Sequence, residues 1–133
     1  MALVLREDDV RAVLTMPATI AVLEGAFREQ GRDQTRNQPR RRIIMPEARG
    51  VLHVMSGYVP GQPGHPEADG SGLVGFKAYT SFAGGARFVV LLYSAEDGRL
   101  LALIEADWLG QIRTGAASGL AIPRLCDPFF QQR

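Results

Sequence analysis

The hydrophobic pattern changes period at Arg40, and that change limits the fold more than any other feature of the sequence. From there the β-rich runs 40–45, 51–58, 73–81, 88–93 and 100–105 follow one another with no helical stretch between them. Strands joined without a crossover helix pair as antiparallel neighbours. The punctuation agrees. Pro46-Glu47-Ala48-Arg49-Gly50 and Ala83-Gly84-Gly85-Ala86 separate runs, and Ser94-Ala95-Glu96-Asp97-Gly98-Arg99 puts Asp-Gly at a hairpin turn. Regular strand–helix alternation, the mark of a doubly wound domain, is missing from this region.

Helices flank the strands. Residues 7–14 read as a short helix, with Glu7, Asp8 and Asp9 at its positive end. Pro17 opens a second helix, capped near Thr15 or Met16. Met16, Ile20, Leu23 and Phe27 form its apolar stripe, and Gly31 ends it. Residues 32–38 are polar and read as a loop, and so does the Gly/Pro-dense stretch 60–72. After the strands, Asp107 is the expected N-cap of a helix carrying Trp108, Leu109 and Ile112. Gly115-Ala116-Ala117-Ser118-Gly119 suits close packing against a neighbour. Pro123 and Pro128 should break the helix, leaving a frayed tail. The class is α+β: N-terminal helices, a mixed and largely antiparallel sheet, then a helix.

Composition narrows the functions. At 133 residues with 46% hydrophobic residues, the chain fits one domain with a modest core. A formal net charge of +1 argues against bulk attraction to nucleic acid or anionic membrane. No apolar run has membrane-spanning length, and residues 1–9 have no signal-peptide pattern. Cys126 is the single cysteine, so no internal disulfide forms and a reducing cytoplasm is the expected setting. Among 15 basic residues Lys77 is the only lysine.

Gly70-Ser71-Gly72-Leu73-Val74-Gly75 spells G-x-G-x-x-G, but a dinucleotide site needs that motif between a strand and a helix. Here it leaves a loop and enters a strand. In that strand Gly75, Lys77 and Tyr79 share one face, and Phe76 and Ala78 the other. Lys77 either lines a cavity or sits on an exposed outer face. Arg40, Arg41 and Arg42 form a basic cluster that also suits a solvated edge. Arg113 is either a surface residue, one paired with Asp107 or Glu105, or a ligand-binding group. Three cations from separate elements could converge on a carboxylate, which arginine binds bidentately and lysine as a point charge. His53 is expected to be a packed or hydrogen-bonded core residue, and His65 a solvated loop residue. No cluster has metal-ligand spacing. Ser56 and Ser118 lack a nucleophile's context. Trp108 and Tyr79 are expected to pack.

Several segments, taken in order, resemble the ornithine cyclodeaminase/mu-crystallin family over about residues 2–122. They are Leu3-Val4-Leu5-Arg6-Glu7-Asp8-Asp9-Val10, Gln38-Pro39-Arg40-Arg41-Arg42, Val51-Leu52-His53-Val54-Met55, Gly75-Phe76-Lys77-Ala78-Tyr79-Thr80-Ser81 and Leu109-Gly110-Gln111-Ile112-Arg113-Thr114-Gly115-Ala116-Ala117-Ser118-Gly119. The Arg-Thr-Gly-Ala-Ala-Ser stretch is the strongest piece. The resemblance implies that residues 1–122 are a substrate-binding and dimerisation domain, completed elsewhere by a C-terminal helix and a Rossmann domain for NAD or NADP. It implies hydride transfer at the α-carbon of a small amino or imino acid, in a homodimer. It assigns the substrate carboxylate to Lys77, Arg113 and Arg40, with Arg41 and Arg42 as alternatives by register. Lys77 is the expected catalytic residue, and Arg113 and Thr114 the expected cofactor contacts. Phe88 stands where some members carry a threonine near the cofactor. The nucleotide-binding turn and the assisting acid would lie beyond residue 133, and residues 123–133 diverge. The chain then reads as an N-terminal fragment, inactive alone, or as a non-catalytic module that binds a small carboxylate or dimerises.

Overall fold

The computed structural model describes residues 1–61 and 72–125. His65, Cys126, Pro128, the first two residues of the G-x-G-x-x-G run, the bulk of the expected 60–72 loop and most of the tail lie outside the described residues.

Strand β1 (Leu3–Leu5) leads into helices α1 (Glu7–Val13) and α2 (Met16–Gly31). Then come β2 (Arg36–Asn37), β3 (Arg41–Met45), β4 (Gly50–Val59), β5 (Leu73–Phe82), β6 (Gly85–Ser94), β7 (Leu100–Glu105) and α3 (Asp107–Leu125). The sheet order is β1-β7-β6-β5-β4-β2, with β3 also on β4. Only β1 is parallel to its neighbour β7; every other pairing is antiparallel. The α+β class and the mixed, largely antiparallel sheet are as the strand runs imply.

The five expected strands are all present, and two short ones were not expected. β1 gains its identity only by pairing Leu3–Leu5 with Ala102–Ile104. β2 interrupts the stretch read as a loop, pairing Arg36 with Tyr58 and Asn37 with Gly57. The β6–β7 turn is tied by Ser94, whose Oγ accepts from Glu96 N at 3.2 Å and whose N–H donates to Arg99 O at 3.0 Å. Gly98 there has φ +73°, which glycine adopts without strain.

Cross-strand partners share a face, so the register defines two sides. One carries Leu5, Ala102, Ile104, Val90 and Leu92, and the helices lie on it. Val10 of α1, 2% exposed, packs with Ala102 and Ile104 at the centre of this core, flanked by Leu14, Trp108 and Leu109. The apolar stripe of α2 meets the small-residue stretch of α3: a Cβ on Gly115 would lie 3.4 Å from Met16 Cε, and one on Gly119 3.7 Å from Ile20 Cδ1. Ala116 between them is fully buried. The small-residue run is thus a close helix–helix contact.

Two expectations about α3 are corrected. Asp107 is its first helical residue rather than its cap. Glu7, 100 residues away, receives the first free N–H groups instead: Asp107 N at 2.6 Å on Oε1 and Trp108 N at 3.0 Å on Oε2. That leaves the Asp107 carboxylate free to accept Phe88 N at 2.8 Å. Pro123 does not break the helix, which continues to Leu125. Pro123 lacks the N–H that would bond the carbonyl four residues back, and the helix runs through it for the described residues that follow.

Candidate carboxylate-binding face

The helix-bearing side of the sheet changes character between β6 and β5. Val90 of β6 is the cross-strand partner of Lys77, so one row of the face passes from a core valine to the lone lysine. The next row runs Phe88, Tyr79, His53 and Arg42 across β6, β5, β4 and β3. Its rings stack. Tyr79 lies 4.6 Å from Phe88 at 23° and 4.3 Å from His53 at 6°, centroid to centroid.

Cations surround this stack. Lys77 Nζ stands 5.4 Å from the Tyr79 ring and 5.5 Å from the Phe88 ring. Arg40 Cζ lies 6.0 Å from the Tyr79 ring centroid. The rings' negative faces attract both cations. Burial lowers the Lys77 pKa, and the positive charges of Arg113 on α3 and Arg40 lower it further. Three elements therefore bring Arg40, Lys77 and Arg113 within electrostatic reach of one another. Among the described residues none of the three forms an ion pair. The carboxylates that were candidate partners for Arg113 are engaged elsewhere, Glu105 with Arg6 at 3.4 Å and Asp107 with Arg87 at 3.8 Å.

The register separates the three arginines that the sequence left together. Arg42 pairs with His53 and so shares the face of Lys77, while Arg41 pairs with Val54 on the opposite side. Arg40 reaches the Lys77 face by its contact with Tyr79. Thr114 is exposed beside Arg113, its hydroxyl donating to Gly110 O at 2.8 Å.

His53 is packed, as expected, but not hydrogen-bonded: its Nδ1 is buried with no partner. Desolvation, and then the charges of Arg42 and Arg40, lower its pKa and favour the neutral ring. Its place beside Tyr79 needs the β4–β5 register, and that of Arg42 beside it the β3–β4 register, neither of which has a local signal in the sequence. Phe88, noted in the sequence as a departure, closes the other end of the stack.

The described part of the G-x-G-x-x-G run does not fit a dinucleotide. Leu73, Val74 and Gly75 lie inside β5, and a Cβ on Gly75 would sit 2.4 Å from Leu91 O of the adjacent strand. Gly75 thus serves sheet packing. No helix N-terminus follows it, so the described residues offer no cradle for a pyrophosphate. Among them no group of three His, Cys, Asp or Glu side chains could hold a metal ion. A groove of about 390 Å³ lies away from the cations, between α2 and α3, lined by Phe27, Ala117, Leu120 and Leu125 among others.

Residues 1–127 match the model of the ornithine cyclodeaminase/mu-crystallin family. No curated protein matches the chain by sequence. Among solved structures the chain is similar to a probable ornithine cyclodeaminase from Bordetella pertussis Tohama I, with TM-score 0.81 and 30% identity over 96% of this chain and 38% of that one. It shares its fold with the iminosuccinate reductase of Paracoccus denitrificans, solved with NAD+, at TM-score 0.81 and 21% identity over 96% of this chain and 39% of that one. It also shares it with the Δ1-pyrroline-2-carboxylate reductase of Thermococcus litoralis, solved with NADH and L-proline, at TM-score 0.78 and 24% identity over 94% and 38%. The chain therefore spans well under half the length of these proteins.

Proposed function

The chain belongs to the ornithine cyclodeaminase/mu-crystallin family, and from that premise we propose that it is the substrate-carboxylate-binding part of an NAD(P)-dependent enzyme acting at the α-carbon of an amino or imino acid. The observation that carries this reading is Lys77: a half-buried cation ringed by aromatic side chains, pushed toward its neutral form first by burial and then by Arg113 and Arg40, and in no ion pair among the described residues. An arrangement that repels its own charges gains most from a bound anion. Lys77 and the two arginines hold the substrate carboxylate, and Lys77, which touches the substrate, is the catalytic residue contributed here. Arg113 and Thr114 face the cofactor. NAD or NADP supplies the hydride acceptor or donor, held in the part of the family's subunit that these 133 residues do not span. The 133 residues alone then bind substrate without turning it over.

The opposite sheet face supports a homodimer. Val4, Ile43 and Val74 are 62%, 61% and 39% exposed on it, and no described helix lies on that side. A second copy would cover these residues. The reducing cytoplasm remains the proposed location, on the single cysteine.

Calorimetric titration of the 133-residue chain with L-alanine and L-proline, alongside an assay of NAD-dependent oxidation of both, tests the reading. Binding that Lys77→Met weakens about 10- to 100-fold, without turnover, is the expected result. Turnover by the chain alone would overturn the division of labour. Absence of binding by a folded chain would overturn the carboxylate site. Sedimentation checks the dimer, which Val74→Asp should dissociate.

A further inference from the structure

We propose that the face selects a substrate with a second carboxylate, a short 2-amino or 2-imino dicarboxylic acid, whose distal carboxylate is received by Arg42 and His53. This rests on the reading that Lys77, Arg40 and Arg113 hold the first carboxylate, and it names the substrate class of that same site.

The first support is the charge inventory. The row and its surroundings carry Arg40, Arg42, Lys77 and Arg113, and among the described residues no Asp or Glu forms an ion pair with any of the four. The ion pairs of the fold lie elsewhere, such as Arg28–Glu24, Arg32–Glu29 and Arg99–Asp97. One carboxylate neutralises one charge. A cluster of this sign leaves uncompensated charge around a monocarboxylate and repels a substrate whose side chain ends in an ammonium.

The second support is His53. Its ring is clamped against Tyr79 and its Nδ1 is buried without a partner. A neutral imidazole carries one N–H donor. With Nδ1 enclosed and unpartnered, Nε2 is the ring nitrogen left to meet a ligand, and the tautomer protonated there presents that donor to it. Burial first, and then Arg42 and Arg40, disfavour a second proton. A fixed donor next to Arg42 suits an acceptor-only group such as a carboxylate. It gives nothing to an ammonium, which has only donors.

The third support is spacing. Arg42 on β3 ends the row of rings, and Lys77 stands in the neighbouring row on β5, two strands away and about 10 Å off at the usual strand separation. Two long basic side chains reaching inward close that gap onto a ligand a few carbon atoms long. The stacked rings of Tyr79 and His53 form the floor between them.

The test titrates the full 133-residue chain with L-aspartate, oxaloacetate, L-alanine and L-ornithine at matched ionic strength. L-aspartate and oxaloacetate should bind about tenfold more tightly than L-alanine, the scale of one charge-assisted contact, and L-ornithine most weakly. Arg42→Gln, an exposed substitution, should bring the aspartate-to-alanine ratio toward one. His53→Phe, which keeps a ring in the stack, should lower the same ratio. Ornithine binding as tight as aspartate, or a ratio unmoved by Arg42→Gln, would overturn the inference while alanine binding that depends on Lys77 left the broader reading standing. A folded chain that binds none of the four overturns both.

Discussion

The two ends of the helix-bearing sheet face belong to one continuous sheet and obey opposite rules. Under α1 and α3, the β1, β7 and β6 residues are apolar and closed from water, with Val10, Ala102 and Ile104 each at most 8% exposed. Two strands away, β5, β4 and β3 present Lys77, Tyr79, His53 and Arg42 in the equivalent positions. The pair Lys77–Val90 is the seam. At the closed end, burial of apolar surface favours the fold. At the open end, repulsion and desolvation oppose it. The fold holds an unfavourable cluster because a core beside it is rigid enough to do so, and strained polar arrangements of this kind mark functional sites.

Substitutions on either side of the seam should therefore separate stability from binding. Ile104→Ala, in the closed end, should cost about 2–4 kcal/mol by leaving a cavity, read from urea unfolding. The carboxylate affinity of the molecules that remain folded should not move. Lys77→Met, in the open end, should do the reverse. Affinity for L-alanine should fall about 10- to 100-fold, the loss expected for a hydrogen bond to a charged group, while the urea midpoint holds or rises. If Lys77→Met unfolded the protein, the lysine would be part of the core and the comparison would collapse.

A third substitution probes what joins the ends. Glu7 on α1 caps α3 through Asp107 N and Trp108 N, and α3 carries Arg113. Glu7→Gln should cost about 1 kcal/mol, the usual scale for a lost cap, with a smaller drop in carboxylate affinity as the start of α3 loosens. A change in affinity larger than the change in stability would mean that Glu7 acts on the site directly.

These contrasts also explain what the sequence disclosed. The long strands were legible because alternation and turn residues are local signals, and the Lys77–Tyr79 face followed from their period alone. β1 was not, because three residues in parallel register with β7 have no local signature. The cap of α3 was misassigned to Asp107 because the true acceptor lies 100 residues away. At the site, residue types raise Lys77, Arg40 and Arg113 as cations that could converge on a carboxylate but equally allow surface roles; the family resemblance decides between them. Arg42 beside His53 depends on the register of β3 on β4, and the three-ring stack on those of β4 on β5 and β5 on β6. A shift of one residue there would turn each side chain to the other face.

The smallest expected effect is the most specific to the open end. The Lys77 pKa lies below the ordinary lysine value of 10.5, first through burial, then through Arg113 and Arg40. Between the lowered folded value and the ordinary unfolded one, the unfolded chain keeps a proton that the folded chain has released. Stability from this group therefore rises with pH across that window, and below it the charged lysine opposes folding. The slope is small, because Lys77 is only partly removed from water. Carboxylate affinity runs the other way, falling as pH climbs through the lowered value, since the neutral amine has lost its charge. Urea unfolding and L-alanine titration at stepped alkaline pH should show the two trends crossing, and Lys77→Met should flatten both. Parallel trends, or trends that survive Lys77→Met, would assign them to another group and leave the seam without its electrostatic cause.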